Sequence, residues 1–175
     1  MYIETDLRKI EQLAKKREDE NWEFRSYLKA SALSSEKLDA IVHDLYAQVA
    51  AAIDCRACAN CCRVITPAPT PEEIETLAAV LQMTTSEFKA QYLVQSGDLA
   101  GGLQRPCPLL KGNECSVYAH RPQECAAYPY LQRDEFRSRL FGVLDNYAIC
   151  PIVFNVYEQL KAHLWRRRRT KHTRF

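Results

Sequence analysis

Four cysteines stand within eight residues, as Cys55-x2-Cys58-x2-Cys61-Cys62, and no other feature restricts this chain as strongly. Thiols at such spacings meet with little loop entropy to lose, whatever architecture surrounds them. They then either oxidise to disulfides or hold a soft metal. The full chain has eight cysteines in 175 residues. Its opening residues, Met1-Tyr2-Ile3-Glu4-Thr5-Asp6, are acidic and show no apolar segment of the secretory kind. No apolar run approaches the roughly 18 residues that cross a bilayer. The expected location is the cytoplasm, with no membrane partner, and reduced thiols there mean metal ligation or redox chemistry.

The other cysteines are dispersed, at Cys107, Cys115, Cys125 and Cys150. A turn at Gly112-Asn113 would bring Cys107 and Cys115 together. Cys107 and Cys150 are each followed by proline, which stiffens the backbone beside a ligand. The candidate metal ligands are thus Cys55, Cys58, Cys61, Cys62, Cys107, Cys115, Cys125 and Cys150. They suffice for two four-thiolate sites, or for one site plus spare thiols. Each dispersed cysteine taken alone also reads as a small buried hydrophobe or half of a disulfide. Zinc and iron–sulfur clusters both accept all-thiolate tetrahedra. Paired zinc knuckles show two separate C-x2-C pairs, and only one compact group exists here. The C-x2-C-x2-C run with a remote Cys-Pro partly echoes bacterial ferredoxins, although Cys62 follows Cys61 with no intervening residues. The balance tilts toward an iron–sulfur cluster, such as 4Fe–4S, over Zn2+. The four histidines, His43, His120, His163 and His172, read as surface residues.

Hydrophobic periodicity predicts a mainly α fold. Residues 1–30 form a charged helical arm with a weak apolar stripe of Ile10, Leu13, Phe24, Tyr27 and Leu28. From Ser34, apolar residues at Leu38, Ile41, Val42, Leu45, Val49 and Ile53 follow at spacings of three or four, the period of an amphipathic helix. Thr70-Pro71-Glu72-Glu73 and Thr84 with Glu87 are capping boxes that open two further helices. Gly97–Gly102 reads as a loop, 136–144 as a strand or extended segment, and Leu109–Tyr118 as a short β-hairpin around Gly112. Ile152, Val153, Val156, Tyr157, Leu160 and Leu164 mark a last helix. With 47% hydrophobic and 26% charged residues, this is one small domain of helices around an irregular cysteine-rich metal centre. Its parts are a helical arm and lead-in helix (1–50), the cysteine-cluster domain (51–155), and a C-terminal helix with a basic tail (156–175).

The run Ile53-Asp54-Cys55-Arg56-Ala57-Cys58-Ala59-Asn60-Cys61-Cys62 resembles the cysteine-cluster proteins of the YkgJ family. The resemblance continues in Pro106-Cys107-Pro108-Leu109-Leu110, Cys115-Ser116-Val117-Tyr118, Arg121-Pro122-Gln123-Glu124-Cys125, Tyr128-Pro129 and Cys150-Pro151-Ile152-Val153-Phe154-Asn155. It covers about residues 50–155. It implies a bacterial cytosolic protein that chelates zinc or iron through these cysteines, and no settled activity. A similar cysteine domain occurs in the flagellin lysine N-methylase, which implies a protein-modifying enzyme or enzyme subunit as one alternative. Gly101-Gly102 lacks the strand–loop–helix context of an S-adenosylmethionine loop. Ala59 stands where many relatives would carry glycine.

The formal net charge of +2 points to no partner class. Arg166-Arg167-Arg168-Arg169, Lys171 and Arg174 form a basic tail that could contact nucleic acid. A frayed helix C-terminus favoured by its dipole is the preferred reading. Tyr118, Tyr128 and Tyr130 are expected to pack around the metal site and exclude water. Arg121 and Glu124 could tune thiolate charge, or be ordinary surface residues of a short helix opened by Pro122. No Ser/His/Asp arrangement and no HExxH motif is present, so no catalytic residue is assigned. The functional expectation is a metal-binding module, structural or electron-carrying. Its alternatives are the cluster-dependent enzyme, with an unidentified protein partner, and a metal store or carrier that uses vicinal Cys61-Cys62.

Overall fold

A computed structural model describes residues 2–96 and 99–166. In chain order the helices are α1 (Leu7–Lys16), α2 (Glu18–Ala30), α3 (Ser35–Ala51), α4 (Cys55–Cys58), α5 (Asn60–Val64), α6 (Pro71–Val80), α7 (Thr85–Tyr92), α8 (Gln123–Ala127), α9 (Leu140–Tyr147) and α10 (Pro151–Lys161). A π-helical turn, Ala162–Arg166, extends α10. Two small antiparallel sheets lie between α7 and α8: β1 (Leu93–Ser96) with β2 (Leu99–Leu103), and β3 (Leu110–Lys111) with β4 (Glu114–Cys115). The fold is mainly α, as the periodicity predicts. Among the described residues no single helix is long and apolar enough to cross a membrane. The basic tail from Arg167 onward, and His172 within it, lie outside the described residues.

The chain divides into two compact units. The first comprises the residues up to Asp54 and those from Pro129 onward. Its helices start where the local chemistry directs. The Asp6 carboxylate accepts the Arg8 and Lys9 N–H groups at 2.9 and 3.2 Å, and the Ser34 hydroxyl accepts the Lys37 N–H. Glu18, Asp19 and Glu20 occupy the first turn of α2, where the helix dipole favours negative charge. Ile10, Phe24, Leu28, Leu38, Val42 and Val49 close around α10, whose residues Pro151–Tyr157 are all buried. The 1–30 segment therefore contributes Ile10, Phe24 and Leu28 to this core.

Asn155, Lys161 and Asp39 are buried in this unit and paired, which offsets their desolvation. Asn155 clamps the backbone of Glu4, accepting its N–H at 2.9 Å and donating to its carbonyl at 2.7 Å. Lys161, 1% exposed, is held by Glu158 at 2.5 Å, Glu20 at 3.2 Å and the Asn21 side-chain oxygen at 2.9 Å. Asp39 accepts the N–H groups of Glu135 and Phe136, both at 2.9 Å. The expectation of a strand over 136–144 is corrected here. Residues 136–139 form turns and helix α9 follows. Leu140, Val143 and Tyr147 bury one helical face, and the distant Asp39 carboxylate satisfies the turn that leads in.

The second unit is Cys55–Tyr128. Both capping boxes form: Thr70 with Glu73, and Thr84 with Glu87, with Pro71 in the first turn of α6. Ile74, Leu77, Ala78, Phe88, Leu93, Leu103, Leu109 and Val117 make its core, and Cys107 and Cys115 pack against it. The loop expected over Gly97–Gly102 is corrected too. Leu99–Leu103 is a strand paired with Leu93–Ser96, while Gly97 and Asp98 lie outside the described residues. The two glycines in that strand answer to close backbone approach. A Cβ on Gly101 would fall 1.9 Å from the Val94 carbonyl oxygen, and one on Gly102 would fall 2.5 Å from the Thr66 methyl.

Candidate metal centre

The first cysteine group does not lie on one continuous helix. Ala59 adopts a left-handed backbone, with φ of 46°, and separates α4 from α5. One turn carries Cys55 and Cys58, and a second carries Cys61 and Cys62. Spacings of three and four would put Cys58, Cys61 and Cys62 on one face of a continuous helix, and the turn at Ala59 breaks that face. The left-handed conformation is also the physical reason that glycine suits this position.

The hairpin β3–β4 is stitched onto these two turns. Leu110 pairs with Cys115 and Lys111 with Glu114, and Gly112 supplies the positive φ of 62° at the turn. The Cys107 N–H donates to the Cys62 carbonyl at 2.8 Å. The Asn113 amide donates to the Ala57 carbonyl at 2.8 Å, and Arg56 pairs with Glu114 at 3.0 Å. Arg63 spans the seam. Its guanidinium donates to the Cys58 carbonyl at 3.1 Å, to the Gly112 carbonyl at 3.4 Å and to the Asn113 side-chain oxygen. On the far side, Glu124 of α8 accepts the Ala68 N–H at 2.9 Å, and Glu73 accepts the Gln123 N–H at 2.7 Å. These bonds carry Cys125, the middle residue of α8, against the same unit.

None of the eight cysteines is paired in a disulfide. Four of them, Cys62, Cys107, Cys115 and Cys125, sense one another's charge. The Cys61 thiol hydrogen-bonds to Cys62 and, with the Arg63 and Arg121 guanidiniums, lowers the Cys62 pKa to about 6. Burial raises Cys107 and Cys115, and the Cys62 thiolate adds to the rise at each. Burial, then the charges on Cys62, Cys107 and Cys115, push Cys125 up to about 12. Backbone N–H groups oppose this at two sulfurs. Those of Leu109 and Leu110 face Cys107, and that of Val117 faces Cys115. Such donors stabilise a thiolate.

This donor set suits a soft cation. One sulfur ionises readily, its neighbours become costly to ionise as bare anions, and a shared cation relieves that cost. Among the described residues no three Cys, His, Asp or Glu side chains already converge as a formed polyhedron, so the thiols are neighbours rather than a closed cage.

The remaining candidates are placed as follows. Cys55 is exposed, and Cys58 and Cys61 are half-buried on their two turns. Cys150 is buried in the first unit, immediately before α10. His120 and His163 are exposed. His43 is half-buried, 3.9 Å from Asp134. Tyr118, expected to exclude water, is instead 47% exposed, with the Arg121 guanidinium 3.9 Å from its ring centre and that of Arg56 at 5.5 Å. Tyr130 belongs to the first unit, where Arg133 covers its ring at 4.6 Å. The seam residues Arg63 and Asn113 carry no motif of their own. The only signal for them was adjacency to Cys62 and to the Gly112 turn.

No match to a curated protein or to a solved structure was found. A family match does exist, over residues 54–142, to CxxCxxCC, described as "Putative zinc- or iron-chelating domain". It spans just over half of the chain, and includes the two cysteine turns, the hairpin and Cys125. With seven of the eight cysteines inside the matched region, the chain belongs to the CxxCxxCC family of zinc- or iron-chelating domains.

Proposed function

We propose that this protein holds its metal in an all-thiolate centre with Cys62, Cys107, Cys115 and Cys125 as principal ligands. The observation that carries this reading is the mutual electrostatic influence of these four thiols, which come from three separate stretches of one unit. The N–H donors at Cys107 and Cys115 would hold sulfur charge in place. Arg63 and Arg121 would offset the net negative charge of a four-thiolate site. Cys55, Cys58 and Cys61 form a neighbouring tier. Cys150 is retained as an outlying candidate.

The finer reading is an iron–sulfur cluster. Only one compact C-x2-C run is present, where paired zinc knuckles show two, and its C-x2-C-x2-C spacing partly echoes bacterial ferredoxins. Such a group would supply one-electron redox capacity, or serve as a structural tie. The chain's own part is to present thiolates, offset their charge and couple local folding to occupancy.

The test is anaerobic purification, followed by iron, zinc and acid-labile sulfide per chain alongside the visible spectrum. Iron with matching sulfide and a broad visible band supports the cluster. Colourless zinc would replace it with a structural or transfer site. Metal content unchanged in Cys62→Ser and Cys107→Ser would overturn the ligand set.

A second reading, metal delivery, draws on one feature. Cys55 is exposed, and Cys61 is hydrogen-bonded to the principal ligand Cys62. A thiol so placed can take over a metal bond by exchange. Transfer to an apo-acceptor faster than spontaneous release would support it, and a release rate indifferent to acceptor would remove it.

A further inference from the structure

An aromatic patch on the first unit has no role in the thiol chemistry. Trp22 of α2 is 40% exposed and Phe141 of α9 is 57% exposed, and they meet edge to face at 5.6 Å. The Arg25 guanidinium lies 4.0 Å from the centre of the Phe141 ring and 5.4 Å from that of Trp22. Trp, Phe and Arg held together at a surface are the composition of an interface centre. Next to Phe141, Gly142 occupies the first half of α9, where glycine weakens a helix. Among the described residues no close packing requires it, since an added Cβ would meet no atom within 4 Å. A flat, side-chain-free spot beside exposed aromatics suits the close approach of another backbone.

The charges on α2 say what approaches. Glu18, Trp22, Arg25 and Lys29 recur at spacings of four, three and four and so share one stripe. Its N-terminal end is acidic and its C-terminal end basic. Among the described residues Glu18, Arg25 and Lys29 make no ion pair. Glu18 and Arg25 are about 10 Å apart along the axis, too far to pair within one helix. An antiparallel copy of α2, related by a two-fold axis near Trp22, would set Glu18 of each chain against Arg25 of the other. The tryptophans would meet at the centre. A stripe with this polarity is complementary to itself, the requirement of an isologous contact.

We propose that this protein forms a two-fold dimer through the Trp22–Arg25–Phe141–Gly142 face, with α2 pairing antiparallel and Glu18 facing Arg25 of the second copy. Sedimentation equilibrium of the full chain, reduced and as purified, tests it. The wild type should be dimeric at micromolar concentration. G142K should fold at least as well, by circular dichroism, because its side chain has open space in the monomer, yet should dissociate. R25E and E18R alone should each weaken dimerisation by about tenfold or more, and E18R/R25E together should restore it. A monomeric wild type at 100-fold higher concentration, or a G142K protein that dimerises like the wild type, would overturn the proposal. So would a double variant no tighter than its parents. The readout does not involve metal, so it fails or succeeds independently of the proposed thiolate centre.

Discussion

Replacing Arg63 tests whether the seam between the cysteine turns and the hairpin holds the site together. In Arg63→Met the aliphatic stem is roughly kept while the charge and the donors go. Three bonds are lost. The half-buried one to the Cys58 carbonyl, at 3.1 Å, is charge-assisted and worth about 1.5 kcal/mol. The two on the exposed turn, to Gly112 and Asn113, are worth about 0.5 kcal/mol each. The sum of about 2.5 kcal/mol corresponds to roughly 60-fold in the local opening equilibrium. Amide hydrogen exchange at Cys107 reports that opening, because its N–H is bonded across the seam to the Cys62 carbonyl at 2.8 Å. Exchange there should accelerate by roughly 60-fold in Arg63→Met and by an intermediate factor in Arg63→Lys, which keeps the charge without the fork. The two variants should separate on a second axis. The Arg63 charge helps hold the Cys62 pKa down, so the methionine variant should raise it and the lysine variant should leave it nearly in place. Exchange at Cys107 within twofold of wild type in Arg63→Met would refute the seam. A Cys62 pKa unmoved in the same variant would refute the electrostatic part.

Four further outcomes follow. In the metal-free, reduced protein, iodoacetamide should modify Cys62 first, with a midpoint near pH 6, while Cys125 stays protected to about 12. Mass spectrometry after brief labelling reads this, and equal rates at pH 7 would contradict it. Because the Cys62 pKa lies below the ordinary thiol value of 9.0, the stability it contributes is fully present above that value and is lost as pH falls through about 6, so metal-free urea midpoints should fall over that window. Ala59→Val should cost about 2 kcal/mol in a denaturant titration, because a β-branched residue is forced into the left-handed region at a buried site; Ala59→Gly should change stability by less than about 1 kcal/mol, and the reverse order would show that the backbone turn is not the constraint. Asp39→Ala should destabilise the first unit by about 2 kcal/mol, since the buried Phe136 N–H and the part-buried Glu135 N–H lose a charged acceptor, and an unchanged thermal midpoint would count against that capping role.

Much of the fold was legible because its causes are local. The capping boxes at Thr70 and Thr84 satisfy helix ends with residues three positions away, and both formed where the spacing predicted them. The turn at Gly112 and the helical period after Ser34 are equally short-range. The errors fell where distant partners decide. Leu140–Tyr147 is helical partly because its lead-in turn is satisfied by Asp39, about a hundred residues earlier. Leu99–Leu103 is a strand because Leu93–Ser96 lies beside it, and its paired glycines read locally as loop.

The cysteines divide along the same line. Spacing alone placed Cys55, Cys58, Cys61 and Cys62 within two helical turns, since a few residues of chain cannot separate them far. It could not say that Ala59 would break the run, or that the Cys62 charge would reach Cys107, Cys115 and Cys125. That assignment needs the hairpin docked by Arg63 and Asn113, with α8 tied in through Glu73 and Glu124. Chain connectivity sets which thiols can be near one another cheaply. Packing and hydrogen bonds between segments some 50 residues apart set which of them share a charge environment, and so which can share a metal.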